Sequence, residues 1–178
     1  MTFYKDAPPE GNDGVATSAE LWRPLADAIG GFDLDPAAGA EPTPIADERY
    51  TPEDDGLTSP WFGKVWLNPP FSNKDDWYKR LINQYNNGDV THAIAIAPVD
   101  TSTSWFHDWF VRADKIAFLE GRAWYHEKNG NGGAGTFGTM VGVWNDTPEV
   151  INVLDGMGMV ADFKQDNAQA TWGDFKND

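Results

Sequence analysis

No stretch limits the fold of this chain more than Lys64-Val65-Trp66-Leu67-Asn68-Pro69-Pro70-Phe71. Its apolar run is too short for a helix and meets two prolines at once, so it reads as a strand of a covered sheet ending in a rigid loop. Open α/β sheets bind ligands at the carboxyl ends of their strands, which puts a site at this loop. Asn68 and Pro69 each precede a proline and are pushed towards extended backbone, while neither Pro69 nor Pro70 has an N–H to donate. The loop therefore presents acceptors: the Asn68 side-chain oxygen and the carbonyls of Asn68 and Pro69, with the Phe71 ring beside them.

That set of groups suits a planar NH2 on a ring. In adenine or cytosine the exocyclic amine is a poor nucleophile, because its lone pair is delocalised into the ring. Two acceptors on its hydrogens draw the nitrogen towards tetrahedral geometry and aim the lone pair at an incoming methyl, so no strong base is needed. Phe71 would stack on a base that has left its duplex, a contact worth roughly 1–3 kcal/mol.

The rest of the chain can supply a core around that site. Its 178 residues are 40% hydrophobic and 13% aromatic, with nine Trp and ten Phe, which is enough for one globular domain. No apolar run approaches the ~20 residues of a membrane span, and Met1 to Asp6 lack the apolar segment of a signal peptide. A cytoplasmic location is expected, in the host cell if the source is viral. There is no Cys, and His92, His107 and His126 are scattered, so no metal site is expected.

Charge pulls the other way from nucleic acid. Thirteen basic residues face twenty-eight acidic ones, a net charge of -15 that opposes ordinary phosphate binding. Asp outnumbers Glu twenty to eight and Lys numbers only eight. The bias resembles halophilic proteins, whose acidic, strongly hydrated surface keeps them soluble where charges are screened within ~3 Å at 1 M salt.

Residues 1–14 read as a flexible amino-terminal arm, 15–163 as a single domain and 164–178 as an acidic tail. Thr17-Ser18 caps a helix with Leu21, Trp22, Leu25 and Ile29 on one face; Pro24 kinks it or falls in its first turn, and Gly30-Gly31 ends it. Phe32 to Gly39 is a second short strand that breaks at Pro36. Asp33 and Asp35 share a face there, next to the first site if the sheet is parallel. By themselves they suit equally a solvated turn or the hydroxyl and ammonium groups of a nucleoside-amino-acid cofactor.

Residues 40–63 look irregular. A helix over Lys74 to Asn87 follows, with Trp77, Leu81 and Tyr85 aligned, then a buried strand over His92 to Val99 and a helix over Thr101 to Val111 whose Trp105, Phe106, Trp109 and Phe110 belong to the core. Lys115 to Tyr125 and Thr136 to Trp144 read as antiparallel edge strands joined across the glycine-rich 129–135. A helix over Thr147 to Leu154 and a weak strand over Met157 to Phe163 complete the pattern.

Taken together, Asp33-Leu34-Asp35-Pro36-Ala37-Ala38, then Tyr50-Thr51 with Glu53-Asp54-Asp55-Gly56-Leu57, then Trp61, Gly63, Val65-Trp66 and Asn68-Pro69-Pro70-Phe71 resemble the phage-type Dam family of DNA N6-adenine methyltransferases in order and spacing. The likeness continues through Ala97-Pro98, Thr101, Thr103, Trp105-Phe106-His107, Phe118 and Gly121-Arg122, and back to Thr17, over roughly residues 15–145. It implies an α/β, Rossmann-like fold with a mostly parallel sheet, an antiparallel edge and helices on both faces. It also implies S-adenosyl-L-methionine as cofactor, double-stranded DNA with a flipped adenine as partner, and a viral or prophage role in modifying DNA against restriction.

On the same resemblance Asn68, Pro69, Pro70 and Phe71 are catalytic. Thr17, Asp33, Asp35, Pro36, Ala37, Asp54, Asp55 and Asn68 bind the cofactor; DNA contact is expected from the few basic residues near the site, Lys74, Arg122 and Lys128. Asn68 stands where Asp is common in the broader class and Phe71 where Tyr is frequent; the acceptor oxygen and the stacking face survive both exchanges. The tetrapeptide also serves methyltransferases of protein glutamine or of RNA, and a catalytically silent cofactor-binding protein is a third reading. The residues outside the tetrapeptide favour DNA adenine.

The charge analysis gives a first test. Raising KCl screens mutual repulsion among the twenty-eight acids. The melting temperature is therefore expected to climb from low salt to molar KCl in a thermal-unfolding series, and a flat or falling trend would remove the salt adaptation.

Overall fold

A computed structural model describes residues 16–39, 43–121, 124–126, 133–134 and 138–163. The predicted DNA contacts Arg122 and Lys128, the 1–14 arm and the 164–178 tail lie outside the described residues. In chain order the elements are β1 (Ala16–Thr17), α1 (Ala19–Ile29), β2 (Phe32–Asp35), β3 (Ala46–Arg49), β4 (Gly63–Leu67), α2 (Lys74–Asn87), β5 (Val90–Pro98) and α3 (Ser104–Asp108). After a 3-10 turn at Phe110–Arg112 come β6 (Lys115–Leu119), β7 (Trp124–His126), β8 (Gly133–Ala134), β9 (Thr139–Trp144), α4 (Pro148–Asp155) and β10 (Gly158–Asp162).

Seven strands form one mixed sheet in the order β10-β6-β9-β5-β4-β2-β3, and β1, β7 and β8 form a second, small one. The pairs β3–β2, β2–β4 and β4–β5 are parallel, whereas β5–β9, β9–β6 and β6–β10 are antiparallel. The sheet is thus half antiparallel, where a mostly parallel sheet with an antiparallel edge was expected. The reason is the place of β9: it pairs antiparallel with β6 as predicted, but inserts between β6 and β5 and is buried along its whole length, so it is no edge strand.

Alternation along the strands builds the two faces of the large sheet. Val65 and Leu67, Ala93, Ala95 and Ala97, and Met140 and Trp144 pack with Trp77, Tyr78, Leu81 and Ile82 of α2 and with Trp105, Phe106 and Phe110. The intervening Trp66, Ile94, Ile96, Val141 and Val143 pack with Leu21, Trp22, Leu25 and Ala26 of α1 and with Val150 and Leu154 of α4. Helices therefore cover both faces, and strands with no solvent side read as continuous apolar runs.

The predicted helix over Lys74 to Asn87 has those bounds. In α1 the Ser18 hydroxyl accepts from Glu20 N at 3.3 Å as the cap, and Pro24 lies inside the helix beyond its first turn. The aromatic helix is shorter than expected, because after Asp108 the chain tightens into the 3-10 turn. Lys115 to Tyr125 is two strands, since β6 ends at Leu119 and β7 joins the small sheet. The stretch read as irregular contains β3, an edge strand of which only Ala46 is buried.

Gly142, in the interior strand β9, has no room for a side chain. A Cβ there would sit 2.9 Å from the ring atoms of both Phe110 and Trp144, which are themselves buried. Gly142→Ala is expected to destabilise the fold by about 1–3 kcal/mol, as overpacking does in well-filled cores. The midpoint of a urea melt measures it.

Candidate active site

The strand order places a crevice before any residue is considered. From β2 the chain moves outward to β3, and it then returns to the other side of β2 to form β4 and β5. Connections that leave neighbouring strands in opposite directions open a gap at their carboxyl ends, which is where doubly wound sheets hold ligands. Asp35-Pro36 ends β2 on one side of that gap, and Asn68-Pro69-Pro70 follows β4 on the other.

Asp35 is a buried charge site. Its side chain is 4% exposed and its Oδ1 accepts from Ala37 N at 3.1 Å. Burial pushes the carboxyl up to about 7, against the smaller opposing effects of the Ala37 N–H and the Arg49 guanidinium. Pro36 is buried and Ala37 half-buried in the turn that follows. The turn is fixed through its backbone, as Tyr50 N donates to Asp35 O at 2.9 Å and Ala38 N to Tyr50 O at 3.0 Å.

Asp33 faces a different duty. Its Oδ2 accepts from the backbone N of Lys64 at 2.7 Å, so this carboxylate ties β2 to β4. Gly63 makes the tie possible: it sits at φ 66°, and a Cβ there would lie 2.3 Å from that oxygen.

Asp54 and Asp55 are exposed and locally bonded. Asp54 Oδ2 accepts from Thr51 N and Thr51 Oγ1, both at 2.8 Å, which hold its carboxyl below the ordinary range. Asp55, in the left-handed region at φ 48°, accepts from Thr58 Oγ1 at 3.0 Å. Their loop still reaches the first turn, because a Cβ on Gly56 would lie 1.9 Å from the Pro36 carbonyl oxygen.

At β4 the Asn68 side chain meets Thr17 from the small sheet, with Nδ2 donating to Oγ1 at 2.9 Å. Thr17 is 4% exposed, and its strand pairs with β7. Pro69 is buried and Pro70 half-buried. Phe71 is only 9% exposed, so its ring is packed away and does not stand open as a platform. Lys74 Nζ is 2.9 Å from the Phe71 carbonyl oxygen and lies 5.5 Å from the centre of the Trp105 ring, so this predicted DNA contact closes the 68–71 loop.

The structure thus brings Asp35, Pro36, Ala37, Asn68, Pro69, Pro70 and Thr17 to one end of the sheet. It turns the carboxylate of Asp33 into the sheet and leaves those of Asp54 and Asp55 in their own exposed turn. Sequence reasoning missed Tyr50, whose backbone braces the Asp35 turn; its place beside Thr51 in the family-like motif was the available signal. Among the described residues no group of three His, Asp or Glu could hold a metal ion, and no helix is long and apolar enough to cross a membrane.

Asp35 sets a pH dependence. The fold favours its protonated form, so its contribution to stability is complete below the ordinary carboxylate value of 3.8, falls as pH rises and is lost above about 7. Within that window it removes up to about 1.4 kcal/mol per pH unit. Urea melts between pH 4 and 7 should show a steeper loss for the natural protein than for Asp35→Asn, and parallel curves would contradict the assignment.

Comparison with known proteins agrees with this geometry. The chain matches the family model of Dam, DNA N-6-adenine-methyltransferase, over residues 5–161. A DNA N-6-adenine-methyltransferase of Escherichia phage T1 is 32% identical over 118 residues, which covers 65% of this chain and 48% of the relative. Another, of Haemophilus phage HP1, is 35% identical over 89 residues, covering 49% and 50%. The chain spans about half the length of these curated relatives. No solved structure matches it. With nearly its whole length aligned to the family, the chain belongs to the Dam family of DNA N-6-adenine-methyltransferases.

Proposed function

We propose that the chain is a Rossmann-like enzyme that transfers a methyl group from S-adenosyl-L-methionine to the N6 amine of a flipped adenine in double-stranded DNA. The observation that carries the reading is the placing, at the switch point of the sheet, of a buried carboxyl at the end of β2 beside the Asn68-Pro69-Pro70 loop after the neighbouring parallel strand β4. The family match and the phage relatives support it, together with a role in modifying viral or prophage DNA against restriction.

The residues fit the cofactor's chemistry. Asp35 keeps an oxygen beyond the one bonded to Ala37, suited to a ribose hydroxyl or an ammonium group, and Pro36 and Ala37 give a close-packed turn beside it. The Thr17 hydroxyl, which accepts from Asn68, retains its own proton for a carboxylate. Asp54 and Asp55 would act through their loop, whose Gly56 packs on Pro36. Asp33 serves the cofactor indirectly, by holding the two sides of the crevice together.

When bound, the cofactor supplies an electrophilic methyl on a sulfonium. Asn68 Oδ1 and a loop carbonyl would accept the two amine hydrogens and raise the nitrogen's nucleophilic character towards that methyl, and the surplus proton of the methylated amine would pass to solvent. Pro69 and the apolar strand ends beside it are buried. A flipped adenine gains its stack only by displacing what now covers Phe71. Arg122 and Lys128 are retained as DNA contacts because they are basic residues expected near the site, with Lys74 acting chiefly on the loop.

Incubation with labelled cofactor and duplex DNA, followed by hydrolysis to nucleosides, tests the reading: label in N6-methyladenine is expected, and label in protein or RNA alone would reject it. Asn68→Ala should bind cofactor nearly normally yet lose activity by about 2.7–4 kcal/mol of transition-state stabilisation, on the scale of one deleted oxyanion-hole donor. Natural turnover in that variant would remove Asn68 from the chemistry.

A further inference from the structure

An asparagine amide has two unlike ends. Only Oδ1 can receive an incoming amine, and a flipped amide would turn its own hydrogens towards those of the substrate. An aspartate has no such ambiguity, because both of its oxygens accept. An enzyme that uses Asn68 at this point therefore needs something that an aspartate would not need: a partner that selects one orientation of the amide.

Thr17 has the properties of that partner when its own proton is given to the cofactor carboxylate, because a hydroxyl free to donate would take either end of the amide. Its Oγ1 receives the Asn68 Nδ2 hydrogen at 2.9 Å, which turns Oδ1 the other way. Thr17 as a whole is 4% exposed, so water does not compete freely for the amide. Thr17 is itself held from both sides. It pairs with Tyr125 in the small sheet, and the next residue, Ser18, caps α1 while its carbonyl accepts from Leu21 N and Trp22 N. An acceptor fixed by a strand on one side and a helix terminus on the other is preorganised, so the amide loses little by docking on it.

We propose that Thr17 is a positioning residue that holds the Asn68 amide with Oδ1 towards the target amine. The inference rests on the reading that Asn68 meets that amine. Because β1 is paired with β7, the β7–β8 hairpin lies one strand pairing and one hydrogen bond from the catalytic oxygen. A single net hydrogen bond corresponds to a roughly two- to twelvefold change in rate.

The test is a double-mutant cycle on the full chain. Thr17→Val keeps the side-chain shape without the hydroxyl, and Thr17→Ser keeps the hydroxyl; Thr17→Val is also combined with Asn68→Asp. The methylation rate is measured in single turnover on duplex DNA at saturating cofactor, so that weaker cofactor binding does not register. Thr17→Val should slow the natural enzyme about two- to twelvefold, Thr17→Ser should recover most of the loss, and Thr17→Val should cost nothing further in the Asn68→Asp background. An equal loss in both backgrounds, or none in either, overturns the proposal. NMR of the Asn68 side-chain amide reads the same contact without any reaction. Its two proton signals should shift and broaden in Thr17→Val and stay in place in Thr17→Ser. Unchanged signals in Thr17→Val refute the positioning role, whereas a natural protein that methylates no DNA refutes the functional reading instead.

Discussion

Everything at the carboxyl end of the sheet depends on β2 and β4 staying side by side while the chain leaves them in opposite directions. Their backbone ladder is short, with Leu34 and Val65 the one registered pair. The bond from Lys64 N to the Asp33 carboxylate adds a rung that the backbone alone does not supply. The same lysine works at its other end, where Nζ donates to the carbonyls of Ile29 and Gly30 at 3.0 and 3.2 Å. Cations are favourable at a helix carboxyl end, so α1 and the two strands are joined through one residue. The crevice between Asp35 and Asn68 has its width set by this small polar knot.

Several of the scarce cations are spent in this structural way. Arg80 Nη2 donates to Ser59 O at 2.6 Å and lies 5.6 Å from the Trp61 ring centre, Lys115 pairs with Asp162, and Lys74 closes the Phe71 loop. Lys79 and Arg112 both lie within 6 Å of the Trp109 ring, at 5.9 and 5.7 Å from its centre. A chain with a net charge of -15 thus commits much of its positive charge to backbone carbonyls and indole faces.

How much of this could be read beforehand follows the range of the forces involved. Strands β4 and β5 and helix α2 are written in contiguous residues, as an apolar run or a 3.6-residue period, and they stand where the pattern put them. The crevice was legible from the prolines that end β2 and β4. Short or edge elements left no such mark: β1 has two residues, and β3 buries one of four. The break between β6 and β7 is invisible to alternation, because both halves extend and only tertiary pairing separates them. Asp33 and Asp35 look equivalent on a strand, yet one meets Lys64 N and the other is buried by the fold. Thr17 and Asn68, 51 residues apart, touch only once both sheets exist.

The stem formed by β6 and β9 has a consequence for how such a chain can change. Lys115 to Phe118 zip against Met140 to Val143 inside the large sheet, and the chain between them makes an excursion that includes β7 and β8. The stem closes through its own ladder and its own burial, so the length of the excursion enters the stability chiefly as loop entropy, about 0.6 kcal/mol for each doubling. Residues there can be inserted, deleted or exchanged while the two cores keep their packing. Among the described residues the excursion is tied back through β7 to β1, beside the Asn68 amide. The length of that excursion can therefore change at little thermodynamic cost, provided that the strand which pairs with Thr17 is kept.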